Sequence, residues 1–253
     1  MSNYGGFPKY VSVAQKRENA QKNIEELKKK NPDITPVTID GKKIANTWWG
    51  EAWNKNLESY SDYSSRILRG RSYVRRGAVL DLEISKGNIM AIVQGSSTKP
   101  YKIEINIEPL SKELWEKIIK DCAGKISSLQ ELIEGKFPKA LSELFMAKGK
   151  GLFPSPKEIK LKCSCPDAAN MCKHVASALY GVGARLDHNP RLFFELRNIN
   201  IDDLISIAVS KESTKLLEKS KIKSSRVIQE EDVSEMFGIQ MEMGTDLESK
   251  KKV

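Results

Sequence analysis

The chain has 253 residues, a formal net charge of +9 and 40% hydrophobic side chains. That length and apolar content support a real core in one large or two smaller domains. No apolar run approaches the roughly eighteen residues of a membrane span, and the basic balance favours an acidic partner, nucleic acid before a membrane or a small-molecule substrate.

Strong helix formers with few breakers predict a polar helix over residues 12–30, stopped by Asn31-Pro32. Residues 1–45 are expected to form a polar, partly helical segment. Trp48, Trp49 and Trp53 follow. At 100° per residue they cannot share one face, so one or two should anchor the core and one is left to stack on a base.

Five arginines then occur within eleven residues without an acid: Arg66, Arg69, Arg71, Arg75 and Arg76. Planar guanidinium groups suit phosphate, and the run is the candidate nucleic-acid-binding segment, leading into a sheet. The competing reading is an arginine-rich surface answered by Glu51, Glu58 or Asp62. Leu80, Leu82 and Ile84, then Ile89, Ala91 and Val93, then Tyr101, Ile103, Ile105 and Ile107 alternate with polar residues across turn signals at 85–88 and 95–100. Three consecutive strands of period two predict an antiparallel meander with one buried face. Helices are expected at 112–121 behind Ser111, at 126–133, and at 139–146 after Pro138. Residues 46–150 thus read as an α+β domain.

The next segment carries the chemistry. Ile159 and Leu161 alternate with charged residues into Cys163-Ser-Cys165, and six residues on comes Cys172-Lys-His174. Three of the four cysteines and one of the two histidines of the chain are gathered there. Tetrahedral Zn²⁺ takes four such ligands. Pro166-Asp167 supplies a chain reversal, and the segment from Val175 has helix-compatible apolar positions, so strand, knuckle and helix surround one structural zinc held by Cys163, Cys165, Cys172 and His174. The N-terminus has no apolar signal stretch, which argues for the cytoplasm and against disulfides. Four ligands close the site, whereas a catalytic zinc keeps a position open. No nucleotide-binding glycine loop or activated nucleophile is present, so an enzyme is not expected. Helices starting at Pro190 and over 201–209 complete residues 151–210. Residues 211–253 read as a charged, mostly disordered tail interrupted by an apolar island over 233–241.

Cys-x-Cys, a loop and Cys-x-His resemble the SWIM zinc finger, with Cys163, Cys165, Cys172 and His174 in its four ligand positions. Blocks at Thr47–Trp53, Arg69–Val74, Leu152–Glu158, Cys163–Asp167 and Tyr180–Asp187 are similar to those of prokaryotic SWIM zinc finger family proteins. The resemblance implies a module that binds DNA or protein, often in company with Swi/Snf-type ATPases. Two functions follow from it: an accessory protein that binds DNA (or RNA) through the arginine segment, or an adaptor docking to such a helicase without appreciable DNA binding of its own.

Overall fold

In a computed structural model, residues 11–122, 139–147 and 149–221 are described. The helix expected at 126–133 and the island at 233–241 lie outside them. Met1–Val209 and Ser210–Val253 separate as two compact units.

The first unit is α+β. Helix α1 (Val13–Lys30) is polar and buries only Ala20, and the Ser12 hydroxyl caps it by accepting from the Gln15 amide. Helices α2 (Trp48–Glu58) and α3 (Ser64–Arg75) precede strands β1 (Val79–Ser85), β2 (Asn88–Val93) and β3 (Tyr101–Ile107). The arginine segment is therefore largely helical, and it leads into β1 as expected. Gly87, at φ 66°, closes the β1–β2 turn, a left-handed conformation glycine adopts without penalty. One extra residue in β1 shifts the register between Val79 and Asp81. That bulge lets Val79 and Leu80, successive in sequence, both be fully buried.

Helix α4 (Lys112–Cys122) buries Trp115, Ile118 and Cys122, and the Ser111 hydroxyl accepts from the Leu114 amide at 3.2 Å. A 3₁₀ turn (Lys139–Leu141) runs into α5 (Ser142–Met146). Strand β4 (Ile159–Cys163) then pairs antiparallel with β3, Leu161 opposite Ile105 and Cys163 opposite Ile103. The sheet order is β1-β2-β3-β4. The strand that runs into the first two cysteines therefore belongs to the same sheet as the meander, and the sheet crosses the expected boundary at 150/151.

Helix α6 (Lys173–His188) is the axis of the unit and is buried from His174 through Ala184. Its small residues let neighbours approach closely. A Cβ on Gly70 of α3 would lie 2.5 Å from the Ala176 Cβ, and one on Gly183 would collide with the Asn54 side chain of α2. Trp53 is fully buried and its indole N–H donates to the Leu179 carbonyl at 2.9 Å. Trp49 donates to Leu186 O at 2.8 Å, and Trp48 and Trp49 are both half-buried against the core. Trp53 is thus the core anchor expected of the three.

Residues 34–45, expected to be part of a polar segment, bury Ile34, Val37, Ile44 and Ala45. Val37 N donates to Val79 O, and Leu82 N to Thr35 O, so this stretch runs along the outer edge of β1. Short α7 (Leu192–Leu196) buries Phe193, Phe194 and Leu196. Helix α8 (Asp202–Lys221) begins in the first unit and continues beyond the position where helix was expected to end. The second unit is described over 210–221 alone, helical there, with the Thr214 hydroxyl donating to Ser210 O at 2.8 Å.

Candidate metal centre

Sheet and axial helix meet at the cysteine cluster. Cys163 ends β4, Cys165 lies in the turn beyond it, Cys172 is the N-cap of α6 and His174 is in that helix's first turn. Their donor atoms all lie within 4.8 Å of one another. Nδ1 of His174 faces the sulfurs, 3.9 Å from Cys172 Sγ and 4.0 Å from Cys163 Sγ. With Zn–S near 2.3 Å, the edge of a thiolate tetrahedron is about 3.8 Å, so a small contraction of the set suffices. The donors fit one zinc ion in chemistry as well as in distance: three soft thiols and an imidazole, with His174 and Cys172 buried.

The fold prepares these groups. The Cys172 sulfur accepts from the Val175 amide at 3.5 Å, at the positive end of the α6 dipole. The Cys172 thiol is pushed down to about 4, first by the hydrogen bond from Cys163, against the opposing effect of burial, and further by His174 and the Val175 amide. The Cys163 thiol is pushed up, chiefly because it is the donor to Cys172 and then by burial. Burial also raises the Cys165 thiol. A cation bound among these sulfurs would favour their thiolate forms.

The His174 ring is packed between Tyr101, at 4.5 Å between centroids, and Tyr73 at 5.5 Å. A Cβ on Gly95 would lie 2.4 Å from the Tyr101 ring and 3.0 Å from Nε2, so glycine there makes room for the Tyr101 ring and the imidazole packed on it. Nε2 is buried without a hydrogen-bond partner among the described residues.

The loop between the two ligand pairs is held by carboxylates. Asp62 accepts from the amides of Asn170 (2.9 Å) and Met171 (3.2 Å). Asp167 accepts from the Ala169 amide and forms an ion pair with Arg66, Nε to Oδ2 3.0 Å. Asp62 was visible in the sequence only as an arginine partner, and its role as a loop cap depends on a contact 108 residues away that no local pattern encodes.

The five arginines divide. Arg66 and Arg71 flank the buried face of α3, which is formed by Ile67, Gly70, Tyr73 and Val74. Arg71 donates to Glu58 Oε1 at 2.5 Å and to the Tyr180 hydroxyl at 2.8 Å, and that hydroxyl donates to Glu58 at 2.7 Å. Burial, then the Glu58 carboxylate, pushes the Tyr180 hydroxyl pKa up. Arg76 lies 4.4 Å over the Tyr73 ring, and Arg75 donates to Lys42 O at 2.8 Å. Arg69 and Arg75 are exposed. Neither has a carboxylate partner among the described residues. Of the acids expected to answer this run, Glu58 does; Glu51 pairs instead with Lys43 at 2.7 Å.

Among the described residues, no helix is long and apolar enough to cross a membrane. No family model matches the chain, and no solved structure matches it. It is similar to the "Uncharacterized protein Rv2102" of Mycobacterium tuberculosis, 35% identical over 164 residues, which is 64% of this chain and 59% of that protein. The chain therefore spans about three-fifths of that relative's length. The three cysteines and one histidine form a donor set compatible with a zinc finger.

Proposed function

We propose that the protein is a structural-zinc module that binds nucleic acid through the outward face of α3. The convergence of four donors within 4.8 Å carries the zinc part. With four protein ligands no coordination position is left for a reacting water, which makes the ion structural rather than catalytic. The likeness of this ligand order to the SWIM zinc finger supports the same reading.

The nucleic-acid part is supported by the charge that α3 leaves unneutralised. Ser65, Arg69 and Ser72, at i, i+4 and i+7, form an exposed stripe, with exposed Arg75 beside it and half-buried Arg76 at its end. Arginine and serine are usual phosphate donors, and the chain's net charge of +9 has the sign such a partner requires. The pairing of Arg66 with Asp167 and of Arg71 with Glu58 narrows the contact set to Arg69, Arg75 and Arg76. Arg66 and Arg71 then position the zinc loop and α6.

Fluorescence-anisotropy titration of zinc-loaded protein against single- and double-stranded DNA and RNA over a range of salt tests the reading. Arg69→Ala/Arg75→Ala/Arg76→Ala should flatten the log–log salt slope on duplex DNA by about 2 to 3, at about 0.9 per phosphate contact. Absence of binding by the zinc-loaded protein near physiological salt overturns it. That result would favour an adaptor docking to a Swi/Snf-type ATPase.

A further inference from the structure

The two edges of the sheet differ. The β1 edge is covered by residues 34–37, which exchange backbone hydrogen bonds with Val79 and Leu82. At the other edge, Glu108 N donates to Glu158 O and Ser164 N to Lys102 O. That alternation turns the backbone of Lys160 and Lys162 toward β3 and the backbone of Ile159, Leu161 and Cys163 outward. The Ile159 amide is used by Pro156 O. The Ile159 carbonyl, both groups of Leu161 and the Cys163 amide have no hydrogen-bond partner among the described residues. Four such groups in sequence are a template for one more strand.

Side chains along this edge define what fits. Ile159, Leu161 and Cys163 share the inner face of the sheet with Ile103, Ile105 and Ile107, and each is only half-buried. Beside them is a cleft of about 370 Å³ whose lining includes Tyr60, Pro156, Leu161, Met171 and Asp62, the last with its carboxylate engaged by the Asn170 and Met171 amides. On the opposite face Lys160 and Lys162, 76% and 80% exposed, pair across the strands with Glu108 at 3.7 Å and Glu104 at 3.5 Å, surface ion pairs weak enough for an incoming carboxylate to compete with them. An added strand presents alternate residues to the two faces, so its apolar positions enter the cleft and its intervening positions meet the two lysines.

We propose that the β4 edge is a docking site for an extended acidic–apolar segment of a partner protein, added as a fifth strand. Charge selects this occupant over a second copy of the chain. Two-fold pairing centred on Leu161 would set each copy's Lys160 opposite the other's Lys162, a like-charge cross-strand pair that is unfavourable. Backbone pairing supplies general affinity and the alternating side chains supply selection. Because Cys163 belongs both to this edge and to the metal cluster, bound metal holds the template in place.

The probe is a fluorescein-labelled peptide, Val-Glu-Val-Glu-Val between Gly-Ser flanks, titrated against the zinc-loaded full chain. Its Val-Lys-Val-Lys-Val counterpart is the control. The glutamate peptide should bind at least tenfold more tightly at low salt and protect the Leu161 and Cys163 amides from hydrogen exchange. Lys160→Glu/Lys162→Glu gives up two surface ion pairs with Glu108 and Glu104 and, with the fold verified by circular dichroism, should reverse the preference. Leu161→Pro removes one donor on an edge that tolerates proline and should weaken binding of both peptides at least tenfold. Equal affinity for the two peptides, protection confined to other segments, absence of binding at millimolar peptide, or a concentration-dependent dimer that itself protects Leu161 would each overturn the proposal.

Discussion

Arg197 is a guanidinium with 2% of its side chain exposed, and what answers it decides how β4 enters the sheet. NH2 donates to Glu158 Oε1 at 2.5 Å and NH1 to Glu108 O at 2.9 Å. Glu158 Oε2 accepts from Ser155 N at 2.7 Å, and the Glu158 carbonyl accepts from Glu108 N at 2.8 Å. The carboxylate therefore joins the turn before β4 to the residue after α7, while the Glu158 main chain and Arg197 tie both to the end of β3. Glu158→Ala leaves the buried cation without its counter-charge, a loss of about 3–5 kcal/mol for a fully buried pair. With the Glu158 side chain 28% exposed, water recovers part of that, and about 3 kcal/mol is expected. At about 2–4 °C per kcal/mol for a unit of this size, thermal unfolding followed by circular dichroism should move down by roughly 6–12 °C. Glu158→Gln/Arg197→Met removes both charges and should lose clearly less than Glu158→Ala alone. A Glu158→Ala shift below about 2 °C, or a double variant less stable than Glu158→Ala, would refute the reasoning. The pH response has a definite sign. Burial, the largest single influence, raises the Glu158 carboxyl, but hydrogen bonds from Ser155 and Arg197 outweigh it and hold the group below its ordinary value. A depressed carboxyl contributes stability that is complete above its unfolded pKa and lost as pH falls through its folded one. Wild type should therefore lose more stability below pH 4.5 than Glu158→Gln does.

Metal analysis of protein purified without chelator should give one zinc per chain, and Cys163→Ala, Cys165→Ala, Cys172→Ala or His174→Ala should each abolish stoichiometric binding. A variant that keeps one zinc and wild-type protease resistance over 163–174 identifies a residue that is not a ligand. Gly70→Ala places a methyl 2.5 Å from the Ala176 Cβ at the α3–α6 crossing. Neither backbone can yield without moving a helix, so a loss of about 1–3 kcal/mol in denaturant unfolding is expected. An unchanged midpoint would show that the two helices separate easily.

The meander and the four donors were legible because their signals are local. Period-two alternation at 80–84, 89–93 and 101–107 reports one buried face whatever lies beyond it. Thiols and an imidazole at Cys163, Cys165, Cys172 and His174 are scarce residues placed close in sequence. The helix at 64–75 was hidden by its composition: arginines at five positions from 66 to 76 mask an inner face of Ile67, Gly70, Tyr73 and Val74. The helix from Val175 was legible from its apolar positions, but its burial on every side, through Ala176, Ser177, Ala178, Gly181, Gly183 and Ala184, was not. Small residues there mark helix crossings, which only the partner helices reveal. Pairing of β4 with β3 joins Leu161 to Ile105, and periodicity in either strand carries no record of its neighbour.

One consequence of that pairing reaches from fold to function. Cys163 lies on the sheet, Cys172 and His174 on the axial helix, and an ion held by all four donors would fasten the two layers at their shared end. The same helix receives Trp53 on Leu179 O and the Glu58–Arg71–Tyr180 cluster. Arg66 of α3 meanwhile holds Asp167 in the ligand loop. The metal centre is thus connected to α3, where Arg69 and Arg75 are exposed, and to β4 through Cys163. Both proposed binding surfaces are attached directly to the elements that supply the ligands. On the proposed reading, a structural ion would matter to binding without touching the bound partner.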